Sequence, residues 1–373
     1  MTSTLASSPQ DKLPAEATAA TALGPDGAAG ALQATLYDVM AVEEVRHQEG
    51  KEPAIFFKGR LLCDAETALN RLLGRFELLG YTPLIRRQGD RDPVIAYAEV
   101  FGPTRSRLWV PVALFLATVV TTTLVGAGIA GASLTRNPLS ILQGVPFAAT
   151  LLLILGIHEL GHYAMGRWHG VQVSLPYFIP VPLGLGTFGA FIQMKSPMRD
   201  RTSLFDIGLA GPVAGFMVAL PLLVVGLILS EVRVGTGTMG RSLLTQVLID
   251  LLQPHGPGFA VQLHPVAIAA YFGILLTGFN LLPAGQLDGG HIAYAALGRA
   301  ARPLALFTLV TMVLLGVFLW QGWLLWAAFV FFTGLRHPSP LNDVTPIDAP
   351  RRALALAAVL LLAVTFIPVP FAV

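Results

Sequence analysis

The sequence has 373 residues, of which 54% are hydrophobic and only 12% are charged, whereas a soluble globular protein carries about 25% charged residues. The composition is that of a membrane protein, and a formal net charge of +2 gives no indication of a nucleic-acid partner. A single cysteine, Cys63, excludes an internal disulfide.

The N-terminal part of the chain is more polar than the rest. Residues 1–30 are rich in Ala, Ser, Thr and Pro, contain acidic residues, and lack the basic segment followed by an apolar core that marks a signal peptide. The acidic residues and the lack of Arg argue against a transit peptide. We therefore expect residues 1–30 to form a disordered tail.

Residues 31–105 hold much of the charge, and their apolar residues recur at short range, which predicts a small cytoplasmic α/β domain. Asp64 is a candidate N-cap for a helix that runs to about Leu79 and carries one apolar face. The other elements predicted in this domain are an amphipathic helix at 31–46 and strands near 54–58, 82–86 and 94–100.

From Trp109 onward the chain is strongly apolar, so residues 106–373 predict an α-helical polytopic membrane domain with about seven transmembrane spans. A helix needs about 20 apolar residues to cross the hydrocarbon core. Because 322–335 is short for a span, the 303–335 region is either two spans or one bent or re-entrant unit. The candidate spans are 109–131, 146–168, 204–229, 263–284, 303–320, 322–335 and 353–370.

One apolar interval does not fit a membrane helix. Residues 171–198 are interrupted by several Pro and Gly residues, which break helices. We expect an extended or hairpin segment, which is tolerated at membrane depth only where it packs on protein or lines a cavity. A simple interfacial loop is the alternative.

Lys and Arg are unevenly distributed between the two sides of seven alternating spans. One side carries eleven of them, from Arg105 to Arg352, and the other carries three, Arg136, Arg233 and Arg241. Since the basic side of a membrane protein faces the cytoplasm, we expect a multi-pass protein of a bacterial inner (plasma) membrane with a cytoplasmic N-terminus. The C-terminus then lies outside, provided that no two spans merge.

The second candidate span contains the pattern H-E-x-x-H, formed by His158, Glu159 and His162. Residues i and i+4 lie on one helical face, so both imidazoles can reach one metal ion. Glu159 lies one step round the helix, where it can hold and deprotonate a metal-bound water. Zinc suits these ligands, because it accepts nitrogen and oxygen in a tetrahedral site and keeps one position for water. A chance match is the alternative, but ionisable residues at membrane depth are functional candidates by default.

Two histidines leave a catalytic zinc one protein ligand short. Asp288 is the only carboxylate near the end of the span 263–284, and the predicted topology places it near the same membrane face as His162. Pro283 and Gly285 would interrupt the helix and let Asp288 turn inward. The alternative for Asp288 is a turn or helix-cap role.

Two further polar residues lie near Asp288 in the sequence. Asn280 is an amide that can donate a hydrogen bond to a developing oxyanion or orient the nucleophilic water, with an interhelical polar contact as the alternative. His291 is either a substitute ligand or supporting group or, more simply, a polar residue on the cytoplasmic side. The histidines without a partner at ligand spacing, which we treat as background, are His169, His255, His264 and His337.

Together, H-E-L-G-H at 158–162, G-T-F-G-A-F at 186–191 and N-x-x-P-x-x-x-L-D-G from Asn280 resemble the site-2 protease family of intramembrane zinc metalloproteases. The stretches GLAGPVAGF, HPVAIAAYFG and LNDVTPIDAPRRA add to the resemblance. With the N-terminal domain, roughly residues 50–370 are similar to the longer plastid and cyanobacterial branch. His291 departs from that branch, where relatives often carry Arg, without touching the proposed ligands.

The resemblance implies that His158, His162 and Asp288 bind Zn²⁺ and that Glu159 is the general base. It also implies hydrolysis of a peptide bond in or near a transmembrane segment of a membrane protein, as in regulated intramembrane proteolysis. Water would reach the zinc from the cytoplasmic side. Gly184, Gly186 and Gly189 match the family's membrane-embedded strand region.

Cleavage of a transmembrane helix requires local unwinding, because each of its carbonyls is bonded within the helix. An extended segment such as 188–194 can pair with the unwound stretch by strand addition. The candidate substrate-binding residues are Gly186, Phe188, Gly189 and Phe191.

Two other functions compete with proteolysis. A polytopic metal-ion transporter needs polar groups along a path through the bilayer, and most of the spans are nearly bare of ionisable residues. An inactive membrane scaffold is disfavoured by the complete H-E-x-x-H and Asp288 set. The partners expected of a protease are a transmembrane protein substrate, the lipid bilayer and a regulator of the N-terminal domain.

Overall fold

The computed structural model describes residues 25–48, 54–87, 94–97, 107–234, 239–256, 258–335 and 337–371. The chain divides into two compact units. The N-terminal unit comprises Met1–Gly102 together with Pro340–Thr345, and the membrane unit comprises Pro103–Ser339 together with Pro346–Val373.

The N-terminal unit is built on a four-stranded antiparallel sheet with the strand order β1-β2-β4-β3. Its helices bury their apolar faces in a core shared with the sheet. Its elements are α1 (Pro25–Ala34), β1 (Met40–Gln48), β2 (Ala54–Leu61), α2 (Ala65–Leu78), β3 (Thr82–Ile85) and β4 (Val94–Tyr97).

Helix α2 confirms the prediction made from its cap and its apolar face. The carboxylate of Asp64 accepts a hydrogen bond from the backbone N–H of Thr67 at 2.9 Å, which satisfies one of the donors that a helix start leaves unpaired. The face predicted to be apolar is buried at Ala68, Leu69, Leu72 and Phe76, and Leu73 packs against the same core.

The amphipathic helix predicted at 31–46 is wrong. Helix α1 ends at Ala34, and residues 40–48 form strand β1, which pairs with β2 through a register shift between Val42 and Glu44. The apolar residues of this stretch fit both the helical period of 3.6 and the strand period of 2, and pairing with β2, the next strand along the chain, decides between them. Residues 25–30, expected in a disordered tail, are helical because α1 buries Ala28 and Ala29 in the core. Residues 1–24 lie outside the described residues.

A segment from near the C-terminus completes this sheet. The backbone N–H of Ile85 donates to the carbonyl of Leu341 at 2.7 Å, and that of Asp343 donates to Ile85 at 3.1 Å. Asn342 thereby pairs in parallel with Ile85 at the outer edge of β3. The predicted domain at 31–105 did not include this segment, because nothing in its local sequence indicates a strand so distant from the rest of the sheet.

The membrane unit consists of apolar helices, short connecting helices and two antiparallel strand pairs. Its helices are α3 (Trp109–Ile129), α4 (Val145–Trp168), α5 (Arg201–Ile228), α6 (Leu243–Leu252), α7 (Pro265–Asn280), α8 (Asp288–Leu297), α9 (Ala301–Phe318), α10 (Gly322–Thr333) and α11 (Ala349–Thr365). The strand pairs are β5 (Tyr177–Pro180) with β6 (Thr187–Phe191) and β7 (Glu231–Val234) with β8 (Phe259–Gln262).

Every candidate span contains a helix, but the helices differ in length. Among the described residues, four helical stretches are long and apolar enough to cross a membrane, namely Trp109–Ile129, Pro138–Trp168, Arg201–Ile228 and Asp288–Phe318. The chain is therefore a mostly helical membrane protein with a small N-terminal sheet. These lengths support four spans, and the count of about seven stays a prediction.

Helices α4, α5 and α7 pack against one another at the centre of the membrane unit. Gly161 of α4 approaches α5 so closely that a Cβ atom would lie 2.6 Å from the carbonyl oxygen of Ala210. Gly226 of α5 lies equally close to the backbone of Ala267 in α7. Small residues of this kind let membrane helices approach at the backbone, and the approach fixes the helix that carries H-E-x-x-H.

Candidate metal centre

The two histidines of H-E-x-x-H converge on one point. Both lie on α4 and are buried. Their Nε2 atoms lie 3.1 Å apart, as the i, i+4 spacing predicts for side chains that share a helical face.

Asp288 joins the two histidines from another part of the chain. Helix α7 ends at Asn280, the chain turns through Pro283 and Gly285, and Asp288 is the first residue of α8. Gly285 has a φ of +55°, a backbone conformation that glycine adopts readily. This turn brings the carboxylate oxygens to 3.3 Å from the Nε2 atoms of both His158 and His162.

The three side chains fit a zinc ion. Ligand atoms bound at about 2.0–2.2 Å in a tetrahedron lie about 3.3–3.6 Å from one another. Here the two Nε2 atoms lie 3.1 Å apart, and each lies 3.3 Å from a different carboxylate oxygen of Asp288. Two imidazole nitrogens and one carboxylate oxygen are the donor set of a catalytic zinc with one open position. Within the described part of the chain, His158, His162 and Asp288 form the one group of His, Cys, Asp or Glu close enough to hold a metal ion.

Glu159 and Asn280 border this cluster. Glu159 is buried, and its carboxylate interacts with the backbone N–H of Ile192, directly after strand β6. The side-chain Nδ2 of Asn280 lies 3.3 Å from Nε2 of His158. Asn280, the last residue of α7, therefore places a hydrogen-bond donor next to the candidate metal-ligand atoms of His158, His162 and Asp288.

Helix α5 holds the imidazoles in place. Nδ1 of His162 lies 2.7 Å from the carbonyl oxygen of Ile207, so Nδ1–H donates a hydrogen bond to that oxygen. The lone pair of Nε2, on the side of Asp288, then remains available to bind a metal ion. Gly211 lies directly against this ring, because a Cβ atom there would be 2.1 Å from Nε2 of His162. Gly215 lies in the same way against His158, where the corresponding distance to Nδ1 is 3.1 Å.

This glycine-lined wall was missed as part of the site. The signal in the sequence is GLAGPVAGF at 208–216, because small residues spaced three or four apart on an apolar helix indicate a face in close contact. Which helix that face meets follows only from the packing of α5 on α4.

The Pro- and Gly-rich interval forms a β-hairpin, which confirms the extended segment predicted there. Strands β5 and β6 pair antiparallel, and the ribbon continues through a bridge between Val173 and Met194. Within the described residues this sheet has two strands only, so β6 has no ladder partner on its second edge. Strand β6 contacts helix α4, which carries Glu159.

The four candidate substrate-binding residues have different environments. Gly186 faces helix α3, since its carbonyl accepts a hydrogen bond from the hydroxyl of Thr121 at 2.6 Å. Phe188 is 64% exposed, and Phe191 stacks on Tyr177 with ring centroids 5.5 Å apart. Gly189 has a φ of +103° and open space where a side chain would project. Three of the four are thus at the surface of the hairpin, and Gly186 anchors it.

Two histidines treated as background have tertiary partners. Nε2 of His169 lies 3.0 Å from the carboxylate of Asp206 on α5. His337 pairs with His291, with the rings nearly perpendicular. His291 is therefore not a simple surface residue, since it is half-buried and its Cβ packs on Gly208. These pairs connect positions between 37 and 46 residues apart, so sequence spacing could not reveal them.

Comparisons with known proteins agree with this geometry. The model of "Peptidase family M50" matches residues 146–320, a range that includes both histidines, Glu159 and Asp288. The chain is 38% identical over 238 residues to a probable zinc metalloprotease, EGY1, chloroplastic, of Arabidopsis thaliana, covering 60% of this chain and 43% of that protein.

Two further relatives extend the comparison. The probable zinc metalloprotease EGY2, chloroplastic, of Arabidopsis thaliana is 30% identical over 62% of this chain and 43% of its own length. The protein of the same name from Oryza sativa subsp. indica is 27% identical over 88% of this chain and 64% of its own length. The matches therefore span less than two thirds of each relative. Residues 146–320 of this chain therefore match the model of peptidase family M50, and the relatives similar to this chain are named as probable zinc metalloproteases.

Proposed function

We propose that this protein is an intramembrane zinc metalloprotease, which hydrolyses a peptide bond in or near a transmembrane segment of another membrane protein. The observation that carries the proposal is the convergence of His158, His162 and Asp288 on one point, with Glu159 on the same helix turn, inside a bundle of apolar helices. A membrane protein retains such costly side chains at that depth when they serve a function.

His158, His162 and Asp288 are the proposed zinc ligands. When bound, zinc supplies a Lewis acid that polarises the scissile carbonyl and makes water nucleophilic near neutral pH. The hydrogen bond from His162 to Ile207 fixes the ring so that Nε2 points to the ligand position. Glu159, as general base, takes the proton of the attacking water and passes it to the leaving amine.

Asn280 is proposed to stabilise the oxyanion that develops on the scissile carbonyl. Its amide lies beside His158, so an oxygen atom held near the ligands is within reach of its N–H groups. Pre-oriented donors in a water-poor site stabilise developing charge strongly. In this role Asn280 would be a catalytic residue, because its amide would contact the reacting carbonyl oxygen.

The unpaired edge of β6 is proposed to receive the substrate. A helix that enters the site must unwind, and its freed N–H and C=O groups then need partners. Strand addition to β6 supplies them and brings the extended substrate to the side of the hairpin where Ile192 meets Glu159. Phe188, Gly189 and Phe191 would contact substrate side chains, and Gly186 would hold the hairpin on α3.

The membrane topology is a further proposal. We propose about seven spans in a bacterial inner membrane, with residues 31–105 as a cytoplasmic domain, residues 106–373 as the protease domain, and access of water from the cytoplasmic side. The uneven distribution of Lys and Arg supports this orientation. Cys63, the single cysteine, permits a direct test: a membrane-impermeant maleimide should label inverted vesicles and not intact cells. Labelling of Cys63 in intact cells would instead place the N-terminal domain outside the cytoplasm and contradict the proposed orientation.

Regulated proteolysis and a regulator of the N-terminal domain are proposed on the resemblance alone. The test of the central proposal is substrate trapping with Glu159→Gln. This variant should retain zinc and accumulate an uncleaved membrane protein that the wild-type chain cleaves. A variant that loads zinc and still cleaves would remove Glu159 as the base.

A further inference from the structure

A cavity of about 320 Å³ opens at the junction of α8 and α9. Its polar lining includes Arg299, Arg302, Tyr294, Ser339 and His337. The hydroxyl of Tyr294 donates to Oγ of Ser339 at 3.0 Å, and the ring of His337 stacks on that of Tyr294. Tyr294, Ser339 and His337 are therefore connected to one another and form one ordered side of the cavity.

The charge of this cavity is of one sign. Residues 289–342 contain three arginines and no Asp or Glu. Within the described part of the chain, the side chains of Arg299 and Arg302 form neither an ion pair nor a hydrogen bond, and both are exposed. Two guanidinium groups that border one cavity without a carboxylate favour an anionic ligand with several acceptor oxygens.

An apolar hollow continues from the same place. It has a volume of about 660 Å³ and is lined by Pro303, Leu306, Phe331, Gly334 and Leu335, together with Arg302. Arg302 and Leu335 border both spaces. Leu306 and Phe331 are exposed; Leu306 lies on a helical stretch long and apolar enough to cross a membrane, and Phe331 lies on the shorter apolar helix α10. A hollow lined by exposed apolar side chains on apolar helices suits an acyl chain, while the polar cavity lies at the arginine end of α9.

We propose that this pair of spaces is a binding site for an anionic phospholipid. The phosphate and headgroup would occupy the polar cavity beside Arg299 and Arg302, and an acyl chain would lie in the hollow against Leu306 and Phe331. Basic pockets between membrane helices select anionic headgroups in this way. Pro283 and Gly285, from the turn that presents Asp288, and Gly290, from the start of α8, form another wall of the polar cavity, so the lipid would rest against the back of that turn.

The test measures lipid binding and does not depend on proteolysis. The full chain, purified in detergent and stripped of lipid, is titrated with phosphatidylglycerol or phosphatidylcholine, and bound lipid is counted by native mass spectrometry. Each arginine near an anionic headgroup contributes roughly a fivefold gain in affinity, so the two together predict a preference for phosphatidylglycerol of roughly 30-fold. The double variant R299Q/R302Q should lose this preference.

A matched control is the double variant R233Q/R241Q, which removes the same charge from another cavity at the β7–β8 end of the unit. It should keep the preference of the wild-type protein. The proposal is overturned if phosphatidylcholine binds as tightly as phosphatidylglycerol, because Arg299 and Arg302 then do not select an anionic headgroup. It is also overturned if R299Q/R302Q still prefers phosphatidylglycerol. Displacement of the lipid by millimolar inorganic phosphate alone would also overturn it, since the site would then be one for free phosphate.

Discussion

The guanidinium of Arg351, at the start of α11, forms two parallel hydrogen bonds with the carboxylate of Asp206 on α5. Nε donates to Oδ1 and Nη2 donates to Oδ2, each at 2.7 Å. The same carboxylate pairs with His169, the residue that follows α4. Asp206 thus joins the ends of three helices, and the next residue, Ile207, is the one whose carbonyl orients His162.

This junction leads to the first prediction. Replacing Asp206 with Asn removes a charge-assisted bidentate pair, which should lower the free energy of unfolding in detergent by roughly 2 kcal/mol and weaken zinc retention by loosening the support of His162. Asp250→Asn, at an exposed position on α6, is the matched control and should behave as wild type. Equal thermal stability of the two variants would contradict the junction.

The carboxylate of Asp288 is predicted to be essential for zinc binding. Asp288→Ala leaves two protein ligands, so zinc affinity should fall by at least about 100-fold, because a catalytic site needs three. Zinc is measured by mass spectrometry after dialysis against a graded chelator, with Asp250→Ala as the control. Wild-type zinc content in Asp288→Ala would remove this residue from the ligand set.

Gly211 is predicted to tolerate no side chain. A Cβ atom there would come within 2.1–2.5 Å of three ring atoms of His162, so Gly211→Ala should displace the imidazole and lower zinc affinity about 10- to 100-fold. Gly128→Ala on α3 is the control, because a Cβ at that position meets nothing within 4 Å. If the two variants bind zinc equally, the ring of His162 is not confined by α5.

Phe188 is predicted to act in substrate binding and not in zinc binding. Phe188→Ala should reduce kcat/KM for a membrane substrate about tenfold, as expected for the loss of one aromatic contact, at unchanged zinc content. Phe307→Ala, an equally exposed phenylalanine on α9, should have no effect. A loss of zinc in Phe188→Ala would instead indicate that the hairpin supports the metal site.

Asp38 gives the N-terminal unit a pH-dependent contact. Hydrogen bonds from Arg75 hold the pKa of this carboxyl below its ordinary value of 3.8. A carboxyl with a lowered pKa stabilises the folded state above its unfolded pKa and loses that contribution as the pH falls through its folded pKa. Asp38→Asn should therefore accelerate hydrogen exchange in α2 at pH 7, and the difference from wild type should shrink below pH 3.8. A difference that persists in acid would exclude the ionised pair as its cause.

The sequence was most informative where one local pattern determines the structure. The i, i+4 spacing of His158 and His162, the cap at Asp64 and the helix-breaking turn before Asp288 each depend on nearby residues, and each is found. Strand β1 was mistaken for a helix because Val42 and Val45 fit both periodicities until β2 pairs with them.

Other features depend on residues that are far apart in sequence. The contact of Gly211 with His162, the link from Arg351 to Asp206 and the pairing of Asn342 with Ile85 join positions 49 to 257 residues apart. A single sequence contains no periodicity that connects such positions, and they follow only from the packed fold.

The central claim is tested most directly by cleavage in liposomes. The zinc-loaded wild-type protein and Glu159→Gln are reconstituted with a single-span membrane protein captured by the Glu159→Gln variant, and the products are identified by mass spectrometry. The wild-type protein should cut one peptide bond in or next to the membrane segment, and Glu159→Gln should do so at least about 100-fold more slowly. Cleavage at the wild-type rate by zinc-loaded Glu159→Gln, or cleavage that persists after zinc is removed, would contradict the account.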